Sequence, residues 1–325
     1  MKVLVTGAGG YVGRHVVQAL CQRGHQVRAI DIRPLHVADL GWNGLAVDLV
    51  QGDLCGSGDV AVRGMDAVIH LAARMKGSDS QQVAGTVEPT LQLIKAMESA
   101  GVNRLVLASS VSVYDWQKAQ GSLDEDSPLE LRVERRDQYA MAKLRQEEVV
   151  RQAAQRNGWV LTILRPAIIW GAGMWDLPQL GPRAGSLRVV IGPSRRLPLT
   201  HVENCADAFA IAVNHPAAAD QTLNVADGEG PTAWEYVTEM RRRGLLAGTA
   251  VPVPFGLGML VARVYGFLGI RKGPKLLWPA CFAARFKPLD VSGNRLRQRL
   301  GWRPLKTYTQ RLEELDTKGN VALQA

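Results

Sequence analysis

Residues 1–13 read Met1-Lys2-Val3-Leu4-Val5-Thr6-Gly7-Ala8-Gly9-Gly10-Tyr11-Val12-Gly13, and the rest of the chain is organised around them. The apolar run Val3-Leu4-Val5 has strand length and runs straight into Gly7, Gly10 and Gly13. Val12, Val16, Val17 and Leu20 then recur at helical spacing, and Gly24 closes the helix. A second apolar strand follows over 25–31 and ends in Asp31. The pattern is a β-α-β start whose turn is stripped of side chains. Backbone N–H groups and a helix N-terminus can approach a pyrophosphate there. Asp31 stands where it would accept a hydrogen bond from a ribose hydroxyl. A strand before, a helix after and an acid at the next strand end separate this turn from an ordinary glycine-rich loop. Asp31 argues for NAD, because a carboxylate repels a 2′-phosphate, and Arg33 keeps NADP open.

The remaining strands continue the rhythm. Residues 45–49 read as a short strand, followed by Gly52-Asp53-Leu54. Residues 66–73 form a buried strand ending in Leu71-Ala72-Ala73, small enough at the end for a flat ring or ribose to lie on the backbone. His70 tempts as a catalyst, but its place inside an apolar strand makes it a packed, satisfied histidine. A helix is expected over 81–100 with Val87, Leu91, Leu93, Ile94 and Met97 on its apolar face. A strand over 104–110 ends in Ser109 and Ser110, and a polar loop runs from 115 to 136. Asp137 caps a helix to 156, which Asn157-Gly158 ends, and a strand over 159–164 leads to Arg165-Pro166. Strands alternating with helices imply an α/β fold, a doubly wound parallel sheet with its ligands at the strands' carboxyl ends. Thr6, Asp31, Asp53, Ala72, Ser110 and Pro166 all fall at such ends.

Past Pro166 the rhythm breaks. Residues 168–196, rich in Gly and Pro, read as a substrate-side loop. Short strand and helix signals follow over 199–225, then helices over 232–243, within 251–270, over 290–300 and from about 307. We therefore divide the chain into a dinucleotide-binding core, 1–166 with 199–228, and a substrate-binding part, 167–198 with 229–325.

Tyr139 and Lys143 lie four apart and project from one helix face. A free phenol titrates near a pKa of about 10. The Lys143 ammonium and a nicotinamide's positive charge would lower it toward working pH. Tyr139 would then exchange a proton with an alcohol or ketone while Ser110 orients the substrate oxygen. The bland alternative is a surface Tyr–Lys pair that only supports its helix.

The chain has 325 residues, 46% of them apolar, and a formal charge of +9. Residues 241–311 hold fifteen Lys and Arg against one acid, Asp290. Such a segment suits phosphate-bearing substrates or acidic lipid surfaces. Without a nucleic-acid module pattern, nucleic acid ranks last. The four cysteines, Cys21, Cys55, Cys205 and Cys281, have no metal spacing and form no disulfide framework. With the first strand starting at residue 2, no signal peptide is expected, and the localisation expected is cytoplasmic.

Several motifs together resemble the extended short-chain dehydrogenase/reductases, the NAD-dependent epimerase/dehydratase group. They are Thr6 to Gly13, Asp31, Gly52-Asp53-Leu54, His70-Leu71-Ala72-Ala73, Ser109-Ser110-Val111-Ser112-Val113-Tyr114 and Tyr139 with Lys143. Arg165-Pro166, His201-Val202-Glu203-Asn204 and Leu300-Gly301-Trp302-Arg303-Pro304 complete the set. The resemblance implies cofactor contacts from Gly7, Gly9, Gly10, Tyr11, Val12, Gly13, Asp31 and Arg33. It further implies Asp53 and Leu54 near adenine, and Leu71, Ala72, Ala73, Tyr139, Lys143 and Pro166 along the cofactor. Ser110, Tyr139 and Lys143 would be the catalytic set, with no metal. Ser110 is preferred to Ser109 or Ser112 because it stands four residues before Tyr114, as in relatives. A homodimer through the helices over 81–100 and 137–156 is implied too.

Two departures narrow the branch. No asparagine follows Arg165-Pro166-Ala167-Ile168-Ile169-Trp170, and no Asp-Glu pair follows the serine. The first is unlike nucleotide-sugar members and more like the 3β-hydroxysteroid-dehydrogenase-like and flavonol-reductase-like branches, and the second points away from sugar dehydratases. Gln82 stands where the family often has asparagine. The leading expectation is an NAD(P)-dependent oxidoreductase interconverting a secondary alcohol and a ketone on a small substrate, apolar or phosphate-bearing. The alternatives are a nucleotide-sugar epimerase, with Arg195 and Arg196 holding a diphosphate, and a non-catalytic dinucleotide sensor. Residues 252–286 mix apolar and basic side chains. They read as a packed part of the substrate domain, with a lid resting on an anionic membrane as the sharper reading.

Overall fold

A computed structural model describes residues 1–74, 79–269 and 273–322 of the chain. Its first strand, β1 (Lys2–Thr6), is buried on both faces. Val3 and Val5 pack into one helical layer and Leu4 into the other. An apolar strand covered on both sides belongs in the middle of a parallel sheet. The chain continues through α1 (Tyr11–Gln22), β2 (Gln26–Asp31), β3 (Val47–Gln51), α2 (Leu54–Val62), β4 (Ala67–His70) and α3 (Asp79–Ala100). Then come β5 (Arg104–Ala108), β6 (Ser122–Leu123), α4 (Gln138–Asn157) and β7 (Val160–Pro166). Beyond Pro166 follow β8 (Ile168–Trp170), β9 (Arg183–Ala184), β10 (Leu187–Ile191), β11 (Leu199–His201), α5 (Val202–Ala212) and β12 (Thr222–Val225). The chain closes with α6 (Ala233–Arg242), β13 (Thr249–Val253), α7 (Phe255–Phe267), α8 (Pro279–Phe286), β14 (Asp290–Val291), α9 (Asn294–Leu300) and α10 (Tyr308–Ala322).

Seven strands form one parallel sheet in the order β3-β2-β1-β4-β5-β7-β12. The winding reverses between β1 and β4, so the loops after them diverge and open a crevice at the carboxyl ends. α1 and α5 cover one face, and α2, α3 and α4 the other. A buried Val or Leu is worth roughly 1.5–3 kcal/mol, so these two apolar layers hold the sheet. Further strands pair outside it: β8 with β11, β6 with β14, and β9, β10 and β13 together. α7 and α8 pack on each other where Gly258 and Ala262 meet Phe282.

The main sheet follows the expected order of elements, and the helix caps match. Asp137 accepts from the Ala140 amide at 3.0 Å, and Gly158 ends α4 in the left-handed conformation at φ 64°. Several local readings need correction. α2 is a helix that the sequence reading does not assign, because Gly56 and Gly58 weaken its helical pattern; Asp53 starts it by accepting from the Cys55 amide at 3.0 Å. β3 begins at Val47, two residues late. Leu91 is exposed rather than on the buried face of α3. Residues 168–196 carry β8, β9 and β10 rather than a plain loop, because strands of two to five residues lack a long apolar run. Residues 290–291 are a strand, and the helix starts only at Asn294.

Candidate active site

The carboxyl ends of β1, β2, β4, β5 and β7 line one crevice of about 1510 Å³. At its floor the turn after β1 is tight. Gly7 lies at φ 67°, and a Cβ there would sit 2.9 Å from the Ala72 Cα. A Cβ on Gly13 would come within 2.2 Å of the Gly7 carbonyl, so only glycine lets α1 pack against the turn. α1 starts at Gly10 with no side-chain cap, leaving its first-turn N–H groups for a ligand in the crevice. This cradle fits a pyrophosphate.

Asp31 is 6% exposed, and its Oδ2 accepts from the Gly9 amide at 3.0 Å. Arg33 also binds it, through Nε to Oδ1 at 3.1 Å and Nη2 to Oδ2 at 3.2 Å. The guanidinium that kept NADP open is thus engaged with the carboxylate. Every cofactor-contact residue expected from the sequence lines the crevice except Gly9, whose amide instead holds Asp31.

The crevice brings Ser110, Tyr139 and Lys143 together. Ser110 Oγ accepts from the Ser112 amide at 3.1 Å and is hydrogen-bonded to Tyr139. Of the three candidate serines, Ser109 donates its hydroxyl to Glu147, and the Ser112 hydroxyl does not line the crevice. Burial raises the Tyr139 pKa above its usual value, and the Asp137 charge adds to this. The Ser110 hydrogen bond pulls the other way without winning. The expected lowering is therefore absent from this arrangement. Lys143 Nζ instead donates to the Ala108 carbonyl at 2.6 Å and to Gln146 Oε1 at 2.9 Å. Burial pushes its pKa down to about 8, with the Glu147 charge opposing.

Two buried assemblies beneath the crevice escaped the sequence reading. Gln146 Nε2 donates to Thr90 Oγ1 at 2.9 Å, and Thr90 donates to the Thr86 carbonyl at 2.7 Å. With its proton so committed, Thr90 can only accept from His70 Nε2, 2.9 Å away. His70 Nδ1 then accepts from Thr6 Oγ1 at 2.7 Å, and Thr6 accepts from the Ala72 amide at 3.3 Å. The chain links Lys143 to the cradle. His70 is fully buried inside it, its pKa pushed down to about 3 by burial and by the Lys143 charge. The packed reading of His70 matches this geometry. In the second assembly, Glu147 takes a bidentate hydrogen bond from Arg165, Nε to Oε1 at 2.8 Å and Nη2 to Oε2 at 2.7 Å. Only the spacing of Tyr139, Lys143 and Glu147, each four apart on α4, hinted at it. Thr90 carried no local signal.

Other expectations moved. Arg195 is buried and donates to the Ile191 carbonyl at 3.2 Å, and Arg196 donates to the Gly230 carbonyl at 3.0 Å. Neither lines the crevice; the cations on its substrate side are Lys275 and Arg285, beside Met174, Leu177 and Leu276. Among the described residues, no group of three or more His, Cys, Asp or Glu is placed to hold a metal.

The sequence matches the NAD dependent epimerase/dehydratase family over residues 3–226. It is 31% identical to a 2-alkyl-3-oxoalkanoate reductase of Stenotrophomonas maltophilia, covering 85% of this chain and 87% of the relative. It is 30% identical to a 3 beta-hydroxysteroid dehydrogenase/Delta 5-->4-isomerase of Mycobacterium tuberculosis, covering 96% and 89%. A short-chain dehydrogenase/reductase superfamily protein of Agrobacterium tumefaciens, solved with bound NAD, superposes with a TM-score of 0.74 at 24% identity, over 99% of this chain and 98% of that one. The chain thus belongs to the NAD-dependent epimerase/dehydratase family, as an enzyme of the extended short-chain dehydrogenase/reductase type whose cofactor is NAD.

Proposed function

We propose that the protein reduces a ketone on a largely apolar substrate to a secondary alcohol, with Tyr139 as the proton donor. The observation that carries this reading is the Tyr139 hydroxyl, bonded to Ser110 in the crevice that Lys143 also lines. A phenol is protonated at neutral pH and can pass that proton to a carbonyl oxygen as it becomes a far more basic alkoxide. The reduced cofactor, when bound, supplies a hydride to the carbonyl carbon. Tyr139 gives its proton to the carbonyl oxygen and recovers one from solvent. Ser110 donates to the same oxygen and fixes its position. Lys143 lies one turn along α4 and stabilises the phenolate left behind.

The cofactor would lie across Gly7, Gly9, Gly10, Tyr11, Val12 and Gly13, with Asp31 on the ribose and Asp53 and Leu54 beside adenine. Leu71, Ala72, Ala73 and Pro166 would flank its other half. In this reading residues 1–166 with 199–228 bind the cofactor, and 167–198 with 229–325 bind the substrate. The substrate side offers Met174, Leu177 and Leu276 to an apolar body, and Lys275 and Arg285 to an acidic group. A 2-alkyl-3-oxo acid has both features, and a 3-ketosteroid has the apolar body alone. The free cysteines fit a cytoplasmic enzyme. A homodimer through α3 and α4 is carried over from the family resemblance.

A nucleotide-sugar epimerase is the second reading, because a diphosphate would also engage Lys275 and Arg285. The experiment follows nicotinamide absorbance with purified protein against 2-alkyl-3-oxo acids, 3-ketosteroids and UDP-sugars. Oxidation of NADH by one of the ketones is the expected result. Sugar interconversion without any absorbance change would replace this reading with the epimerase.

A further inference from the structure

The outward face of α7 is apolar where a surface helix should be polar. Leu257, Leu260, Val261, Val264, Phe267 and Leu268 are each at least half exposed, and Phe267 is 90% exposed. They follow the helical period, so they share one face. The opposite face carries Gly258 and Ala262, which are buried and pack against α8. A Cβ on Gly258 would sit 2.5 Å from Phe282 Cζ, so the inner face is already in close contact with its neighbour. A contiguous exposed apolar patch of this kind marks a surface with a partner.

Charge identifies the partner. Residues 255–289 carry six cations, Arg263, Arg271, Lys272, Lys275, Arg285 and Lys287, and no acid. Of these, Arg271 and Lys272 lie outside the described residues, Lys275 and Arg285 line the crevice, and Lys287 donates to the Gln117 and Ala119 carbonyls at 3.1 and 2.6 Å. Arg263 stands exposed on α7 itself. Lys275 lies over the Trp278 ring, 5.4 Å from its centroid, which puts an aromatic–cation pair just past the helix. A second copy of the chain docked through this face would set cations against cations with no acid to offset them. An anionic lipid surface offers the complement to both features, hydrocarbon for the leucines and phosphate for the cations. With 13 residues, α7 is about 20 Å long, too short to span a bilayer. Among the described residues no helix is long and apolar enough to cross a membrane.

We infer that α7 lies flat on an anionic membrane surface, its Leu257–Leu260–Val264–Phe267 face in the acyl boundary and Arg263 at the headgroups. The connection from α7 to α8 contributes Lys275 and Leu276 to the crevice wall, so the docked face adjoins the substrate side. This assignment does not depend on the catalytic reading, and its test reads binding rather than activity.

The test is flotation of the full-length protein with vesicles of phosphatidylcholine alone or mixed with phosphatidylglycerol, at low and high salt. Three proteins are compared: wild type, the Leu260→Asp/Phe267→Asp double variant and Arg263→Glu. All three positions are solvent-exposed, and thermal melting checks that the variants fold. The wild type is expected to float with the anionic vesicles only, less so at high salt. Arg263→Glu should bind at least about tenfold more weakly, since one cation near an anionic surface is worth about 1 kcal/mol and reversal roughly doubles that, and the double variant, which puts two acids on the apolar face, should lose at least as much. Absence of wild-type flotation overturns the proposal. So does flotation that the variants leave unchanged. Concentration-dependent self-association of the wild type that the double variant abolishes would assign the face to a second copy and overturn it as well.

Discussion

Replacing Glu147 by Gln probes how the catalytic helix is held. Tyr139, Lys143 and Glu147 form one stripe along α4, and Arg165 reaches that stripe from the end of β7, next to Pro166. The Glu147 and Arg165 side chains are 4% and 3% exposed. Glu147 also accepts from Ser109, the neighbour of Ser110, so the pair ties α4 to the ends of β5 and β7 at once. An exposed ion pair would be worth about 0.2–1 kcal/mol. This one is buried and bidentate, and breaking it leaves the Arg165 cation uncompensated, which costs about 3–5 kcal/mol. Gln keeps one acceptor, so the loss should fall near the lower end, about 3 kcal/mol. With a urea slope of about 3 kcal/mol per molar, the unfolding midpoint should drop by about 1 M. Replacing both partners, Glu147→Leu with Arg165→Met, removes the stranded charge and should recover most of that loss. The pH dependence has a definite sign. Burial would raise the Glu147 carboxyl, but the Arg165 hydrogen bonds and charge outweigh it and hold its pKa below the usual value. A depressed folded pKa means stability that is present above the unfolded carboxylate range and lost as pH falls through the folded value. The Gln variant should lack that acid-side loss. A destabilisation of Glu147→Gln under about 1 kcal/mol would refute the buried-pair argument.

Three further outcomes follow from the same geometry. Lys143 has its pKa lowered to about 8, so it loses its charge as pH rises through that value, and reductive kcat/KM should fall on the alkaline side there; Lys143→Arg should move that limb upward in a pH–rate profile. Asp31→Ser removes the carboxylate that repels a 2′-phosphate and releases Arg33, so the ratio of NADP to NAD affinity, read by titration calorimetry, should rise at least about tenfold, roughly 1.4 kcal/mol. Gln146→Leu takes one acceptor from Lys143 and one donor from Thr90. Thermal stability should fall by about 1–3 kcal/mol and kcat with it, while an unchanged kcat and pH profile would show that the buried chain does not position Lys143.

The parts of the fold legible in the sequence were those written in local signals. The glycine turn, the acid at Asp31, the Asp137 cap and the Gly158 stop each act within a few residues of where they stand. The apolar runs of β1, β4, β5 and β7 needed no partner to be read as buried strands. α2 was illegible because its glycines hide the helical period, and its start depends on the single Asp53 hydrogen bond. The strands between 168 and 196 were illegible because they are short and take their pairing from residues far along the chain; β10, for example, pairs with β13. In the site, residues at strand ends and one helix face could be gathered by topology alone. The Thr6–His70–Thr90–Gln146 chain could not, because its members are up to 64 residues apart at a single contact and each looks ordinary in its own neighbourhood. Arg195 shows the opposite case: adjacent arginines suggest an anion site, but burial gave this one to backbone carbonyls.

The most direct test of the central claim is Tyr139→Phe in the nicotinamide absorbance assay, with NADH binding measured in parallel. The substitution removes one hydroxyl from the crevice and leaves the ring in place. If Tyr139 is the proton donor, kcat should fall by about 10²–10⁴-fold while NADH affinity stays within about threefold. A variant that keeps its turnover within about tenfold of wild type would contradict the account and place the proton donor on another residue.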